Sequence, residues 1–554
     1  GGSGNALGEA THQLGGFCNQ IFRCYAESQL AEAAETALDD LDDIEEEFNL
    51  QMKEQRLAPV SAIARVAASA TFSFLCEKMA QCQAAIAVCR DENDQARNLE
   101  QFCFLVESIG YCLSDPADGE VPLIPLLLVK ASERAAAAGS VDPTLQLSHT
   151  LMDVVAKLVD PNQGAFASPR VVEVVLKCVT MWSATYLFSE DENMPVQIKQ
   201  TYSHPDQASH VINLIAQLAG SAFTRWSGEI MVQEHVCKSL LPILVRGKLR
   251  RSVLMASPAW QQLVNFYIQN FESIILAIRS DIHRALVKCL TQAASKPMDE
   301  QVIKQYLQNV MEPLLKGMAS LQATPSSSLP VQKAESILEG LRGSAKGFTG
   351  LGIVYLIEIF FNIQPILLNL FSQSNKNVRI AYLVLKLTAE IVEAQIAYLD
   401  SASFHRISTF IFEILQRYKS QNIGQVSLQA SKALRAEEAS EKYKEIRALV
   451  KLLTTLTDRD MVSFSASNSA TSAADGSVDV ANAVFVGLEM VFPLLSVELL
   501  NFPKLSHQYF NLIGHMCEVY PEKVAKLPKE MFATLVDTLK FGVECNDFQN
   551  IASS

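Results

Sequence analysis

The feature that most constrains this chain is a helical stripe that recurs along nearly its whole length. Val172, Val175, Val179, Trp182 and Tyr186 advance by three or four residues at a time, as do Leu383, Leu387, Ile391, Ala394 and Tyr398. Phe404, Ile407, Ile411, Ile414 and Tyr418 repeat the step, and so do Leu505, Tyr509, Leu512, Met516 and Val519. At 3.6 residues per turn each set falls on one face of an α-helix. Period-two runs joined by hairpin turns are missing, so the sequence predicts an all-α fold.

The stripes come in twos. Segments 380–400 and 403–419 are separated by so short a link that the two helices must run antiparallel side by side. Segment 505–519 is followed by the turn Tyr520-Pro521-Glu522-Lys523, and Pro528 suits the first turn of a helix over 529–541. Such a pair spans about 40 residues, the period of HEAT and armadillo arrays, and the chain would hold about 12 to 14 of them. Each pair has an apolar face that it cannot bury alone; stacking on its neighbours buries it. The expected fold is an all-α HEAT-repeat superhelix, an α-solenoid of antiparallel helix pairs.

Within that array, residues 1–4 (Gly-Gly-Ser-Gly) read as a cloning scar. Residues 5–56 read as a helical repeat carrying an acidic run, and 57–554 as a continuous solenoid. Small polar stretches near 131–143, 319–330 and 464–479 are expected as inserts on its surface. Segment 351–371 is apolar enough to suggest a membrane span. Glu358, Asn362, Gln364 and Pro365 interrupt it, and a carboxylate near mid-span costs about 2.5–3.5 kcal/mol. We expect a buried helix and no membrane insertion.

Charge narrows the partners. Lys plus Arg is 46 against 60 Asp plus Glu, a formal charge of −14. Such a chain repels nucleic acid and favours basic protein partners. Nine acids fall within residues 32–47 with no base between them: Glu32, Glu35, Asp39, Asp40, Asp42, Asp43, Glu45, Glu46 and Glu47. Asp39, Asp40, Asp42, Asp43, Glu45, Glu46 and Glu47 are the candidate partner-binding residues, a negative surface for a basic protein; the plainer alternative is a solvated helix edge. Glu190-Asp191-Glu192 reads as a solvated loop. Arg246, Lys248, Arg250 and Arg251, interleaved with apolar residues, read as a helix–loop–helix edge. Lys386 and Glu390 form an i,i+4 pair worth a few tenths of a kcal/mol.

Residues suited to chemistry do not converge. Twelve Cys occur without C-x-x-C, which fits a reducing cytosolic or nuclear setting. The nine His form no H-E-x-x-H, and G-x-S-x-G, P-loop and G-x-G-x-x-G motifs are missing. Gly347, Gly350 and Gly352 lack a preceding strand and read as a helix-start loop. We therefore expect no enzyme, with no catalytic residue, metal or cofactor.

Several stretches together resemble one family. Segment 111–125, Tyr-Cys-Leu-Ser-Asp-Pro-Ala-Asp-Gly-Glu-Val-Pro-Leu-Ile-Pro, is similar to a stretch of the exportin-4 branch of the importin-β superfamily. Segments 182–187 (Trp-Ser-Ala-Thr-Tyr-Leu), 395–399 (Gln-Ile-Ala-Tyr-Leu), 502–510 and 517–523 resemble later parts of that branch, in the same order. The resemblance implies a HEAT-repeat nuclear transport receptor that shuttles between nucleus and cytoplasm through the nuclear pore. It implies Ran-GTP, nuclear pore proteins and protein cargo as partners. The cargo implied is the hypusine-bearing translation factor five-A, with Smad export and Sox-type import as further traffic. Acidic loops in this superfamily commonly face Ran, which would give the 39–47 run its partner. Such receptors also carry N-terminal Ran-contacting repeats and later C-terminal repeats, so a middle-to-C-terminal portion is expected. The rival readings are a HEAT scaffold without Ran coupling and an importin-type receptor.

Overall fold

The computed structural model describes residues 2–38, 43–116, 120–294, 299–324, 329–373, 377–395, 398–422, 444–457, 480–492, 500 and 502–544. Those residues are helices and their links, with no strand among them. They group into two compact units, one made of residues up to Ile278, the other of Arg279–Ala294 and the described chain from Asp299.

The first unit contains α1 (Gly2–Thr36), α2 (Asp43–Val66), α3 (Ala68–Val88), α4 (Glu92–Leu113), α5 (Leu126–Ala138), α6 (Pro143–Val159), α7 (Pro169–Tyr186), α8 (Val196–Tyr202) and α9 (Pro205–Thr224). It continues with α10 (Ile230–His235), a π-turn over Val236–Leu240, α11 (Leu241–Leu244), α12 (Lys248–Ala256), α13 (Pro258–Gln269) and α14 (Phe271–Ala277). Helices α1, α4, α7 and α10 pack in succession as one layer, and α3, α6, α9 and α13 as a second. The second unit repeats the plan. Helices α15 (Ser280–Ala293), α17 (Val331–Gly347) and α19 (Val378–Gln395) form one layer; α16 (Glu300–Gln322), α18 (Leu351–Gln373), α20 (Ser401–Asn422) and the helix Val480–Val491 form the other. A further helix covers 444–457. This is the two-layered stack of helix pairs expected of HEAT repeats. Its spacing is wider than the expected period: α15, α17 and α19 begin at Ser280, Val331 and Val378. The estimate of 12 to 14 units is correspondingly too high.

Local chemistry sets the helix starts. Asp142 accepts from the backbone N–H groups of Thr144 and Leu145 ahead of Pro143. Ser168 and Ser257 do the same for Val171 and Trp260 ahead of Pro169 and Pro258. The cap oxygen replaces an intrahelical acceptor, and the proline occupies a position whose N–H would be orphaned anyway. Helix ends are satisfied from further away. Arg65 of α2 donates to the carbonyls of Tyr111 (2.6 Å) and Cys112 (3.0 Å) in the last turn of α4. The Tyr186 hydroxyl donates to Leu113 (2.6 Å). Arg225, just after α9, reaches Leu158 at the end of α6 and Gly164. Arg250 of α12 reaches Leu187 at the end of α7.

Several expectations are corrected. The boundary at residue 56 falls inside α2. The stretch 131–143 is helical as far as Ala138, with Gly139 at φ 62° ending α5, so the insert shrinks to a short link. Likewise α16 runs to Gln322 through the start of the 319–330 stretch, while 464–479 lies outside the described residues. Gly347 is the last residue of α17 and Gly352 the second of α18; only Gly350, at φ 56°, stands in the loop between them.

Helix α18 is long and apolar enough to cross a membrane, yet it packs on α16, α19 and α20. Leu356, Ile359, Phe360, Ile363, Leu367 and Phe371 are buried, while Glu358, Asn362 and Pro365 stay exposed. Pro365 has no N–H for the carbonyl four residues earlier. Arg406 of α20 supplies that donor, bonding Phe361 at 3.1 Å and lying 4.2 Å over its ring.

The tightest packing is α17 against α15. A Cβ on Gly343 would meet the carbonyl oxygen of Arg284, and one on Gly347 the carbonyl of Lys288 and the Thr291 hydroxyl. On Gly340 it would lie 2.8 Å from the His283 ring. Only glycine lets the two helix backbones come this close. Gly343→Ala is expected to lower stability by about 1–3 kcal/mol, because the obstacle is backbone that cannot rotate away. Gly220→Ala in α9, where a Cβ meets open space, should instead raise it by about 0.5–1 kcal/mol. Thermal or urea unfolding of both variants checks this; loss of stability in neither would mean that α15 and α17 are not in close contact.

Candidate interaction site

The acidic run is placed only in part. Asp39, Asp40 and Asp42 lie outside the described residues; Asp43, Glu45, Glu46 and Glu47 fall in the first two turns of α2. Glu32 and Glu35 stand exposed in the last turns of α1, which packs on α2. Acids in the first turns of a helix complement the partial positive charge of its N-terminus, worth about 0.3–1 kcal/mol each.

Two of the segments that carried the family resemblance, 111–125 and 182–187, hold the first unit together. Asp115 binds the buried Arg65 at 2.8 Å, so the chain leaving α4 is pinned by the same guanidinium that caps the helix. Trp182 and Tyr186 are fully buried; the Trp182 indole donates to Ser148 at 3.0 Å and meets Tyr202 edge-on at 4.8 Å. Asp191, expected in a solvated loop, accepts from the backbone N–H of Ile124 at 3.1 Å and ties the 120–125 stretch to the loop after α7. Arg250, expected at a helix–loop–helix edge, is buried there, and burial lowers its guanidinium to about 10.

The second unit holds a charge network that the sequence reading missed. Glu339 and Glu390 are almost completely buried. Arg342 bonds both, donating from Nε and Nη2 to Glu390 (2.8 and 2.9 Å) and from Nη1 to Glu339 (2.8 Å). Arg284 of α15 and Arg379 of α19 each reach Glu339 at 3.2 Å, and Lys346 reaches Glu390 at 3.3 Å. Burial by itself would raise the Glu390 carboxyl. The Arg342 hydrogen bonds and the charges of Arg342, Lys346 and Lys386 outweigh it and hold the group below its ordinary value. Glu390 is thus the acceptor of a buried bidentate pair, not merely the i,i+4 partner of Lys386. Glu339 and Arg342 share an i,i+3 spacing that a sequence can show, but Arg342 and Glu390 are 48 residues apart and only the stacking of α17 on α19 joins them.

Among the described residues no three His, Cys, Asp or Glu side chains converge as a metal site would require. Their cysteines are free thiols. Burial pushes the Cys82, Cys112 and Cys289 thiols up to about 12, so they are unsuited to nucleophilic work. A hollow between α16 and α18 is lined by Gln305, Gln308, Asn309, Glu312, Lys316 and Tyr355, and one among α1, α3 and α4 by Glu27, Lys78, Gln81, Asn98 and Gln101. Each holds one acid paired with one base, Glu312 with Lys316 and Glu27 with Lys78.

A family model described as Exportin-4 matches residues 9–553. Among solved structures the chain is similar to importin 13 in a cytosolic state, at 9% identity and a TM-score of 0.45, over 94% of this chain and 60% of that one. It is also similar to a circular tandem repeat protein with novel repeat topology and enhanced subunit contact surfaces, at 13% identity and a TM-score of 0.32, over 86% and 99% of the two chains. The chain thus spans 60% of the length of the importin 13 chain it matches.

The buried network makes a direct prediction. Arg342→Leu leaves Glu339 and Glu390 without their shared guanidinium and should cost about 3–5 kcal/mol, whereas Arg342→Leu combined with Glu390→Leu should recover part of the loss. Because Glu390 is held below its ordinary 4.5 when folded, its contribution is complete above that pH and is lost as the pH falls below it. Urea titrations of the single and double variants at neutral and acid pH check both statements; a double variant as unstable as the sum of its parts would deny the coupling.

Proposed function

The chain belongs to the exportin-4 family of nuclear transport receptors, and on that premise we propose that it acts in Ran-GTP-dependent carriage of a basic protein cargo, the hypusine-bearing translation factor five-A, from nucleus to cytoplasm through the nuclear pore. The observation that carries this reading is the family match over residues 9–553. The family is one of carriers rather than enzymes, and the chain's formal charge of −14 suits basic partners. A stacked array couples its neighbours, so small rotations between helix pairs add up along it. Two ligands that favour the same curvature then bind cooperatively, and each tightens the other by the same factor. A hypusine side chain is long and cationic, and carboxylates are its natural acceptors.

The test is a titration of cargo onto the intact receptor with and without Ran-GTP. A coupling of about 1–3 kcal/mol makes each ligand tighten the other by about 5- to 150-fold. Equal cargo affinity in both titrations would favour a HEAT scaffold, and weaker cargo binding with Ran-GTP an importin-type receptor.

Asp39, Asp40, Asp42, Asp43, Glu45, Glu46 and Glu47 are our candidates for attracting a basic face of Ran or cargo. Their density in the sequence, with no base among them, supports the choice. Replacing the seven by Asn and Gln should slow association about tenfold at low salt and flatten its salt dependence, leaving dissociation less affected. Association rates measured across ionic strength decide it: an unchanged rate reduces the run to a helix-capping, solvated edge.

A further inference from the structure

Charge is not spread evenly over this chain. Helices α15, α17, α19 and 444–457 together carry ten bases, Arg284, Lys288, Lys333, Arg342, Lys346, Arg379, Lys386, Lys444, Arg447 and Lys451, against six acids, Asp281, Glu335, Glu339, Glu390, Glu393 and Glu445. The chain as a whole has 46 bases and 60 acids, so this layer has the opposite sign to the rest. We propose that the face shared by α19 and the 444–457 helix docks an acidic segment of a protein partner, whose carboxylates sit over Lys386 and Lys451.

Three observations support that placement. Lys451 bridges to Glu393 at 2.7 Å, which places the 444–457 helix beside α19, with Lys451 and Arg447 near enough to Lys386 for their charges to act on it. The acids at hand are largely engaged: Glu390 holds Arg342 and Lys346, Glu339 holds Arg284, Arg342 and Arg379, and Glu393 holds Lys451. Lys386 is half-buried, and burial together with the charges of Lys451, Arg342 and Arg447 outweighs Glu390 and brings its ammonium down to about 8. An incoming carboxylate relieves that crowding. A short run of carboxylates matches two turns of helix, whereas a long polyanion such as RNA would meet the net negative charge of the rest of the chain. The proposal goes beyond the export reading, because it requires neither Ran nor a basic cargo.

The test uses a fluorescein-labelled oligoglutamate peptide titrated onto the full chain at low salt and followed by anisotropy. Binding is expected, with a steep loss as salt rises. Lys386→Gln with Lys451→Gln should weaken it about tenfold, Lys386→Arg should keep it, and Lys199→Gln on α8 of the first unit should leave it unchanged. Circular dichroism melts establish that each variant is folded. No peptide binding at low salt, or equal binding by the double variant, would overturn the proposal. So would an oligouridylate that binds more tightly than the peptide and is lost in the same variants, which would make the face a nucleic-acid surface.

Discussion

A stacked helix ends against its neighbours, not in water, and its last carbonyls must find donors from elsewhere in the fold. Arginine answers this demand repeatedly here. Arg65 caps α4, Arg225 caps α6, Arg250 caps α7, and Arg406 mends the gap that Pro365 opens inside α18. In each case the donor lies 45 or more residues away from the carbonyl in sequence. A guanidinium is suited to the task because it stays charged when buried and its fork can bond two carbonyls at once. Each such bond also fixes how one helix pair sits on another, so the caps and the stacking depend on each other.

The second unit shows the same logic with carboxylates in place of carbonyls. Helix α17 is buried on nearly every face. Its glycines let α15 approach on one side, and Arg342 and Glu339 meet α15 and α19 through charge. Burying these ions is expensive, so the network adds little net stability compared with an apolar core; what it adds is a demand for one register between three helices. The same network engages Glu339 and Glu390, while the charges of Lys451, Arg342 and Arg447 press on the half-buried Lys386 beside it.

The two signs of charge are therefore organised differently. The acidic run around α2 is local, contiguous and visible in the chain, and part of it is favourable where it stands because it lies at a helix N-terminus. The proposed basic face joins α19 and the 444–457 helix, neither of which is unusual in isolation.

Helical class and pairing were legible in the sequence, because they depend on short-range physics: apolar residues at three- and four-residue steps act within one or two turns. The burial of α18 could be argued from Glu358 and Pro365 alone. The spacing of the repeats could not, since links such as those around α5 and α8 contain helix of their own. Nor could the roles of Arg250, Asp191 and Glu390, each of which looked like an ordinary surface residue. Their partners Leu187, Ile124 and Arg342 lie 63, 67 and 48 residues away, and a periodic pattern says which face of a helix is apolar but not which helix will cover it. That choice is made only when the layers stack, and with it the buried charge pairs and the basic face.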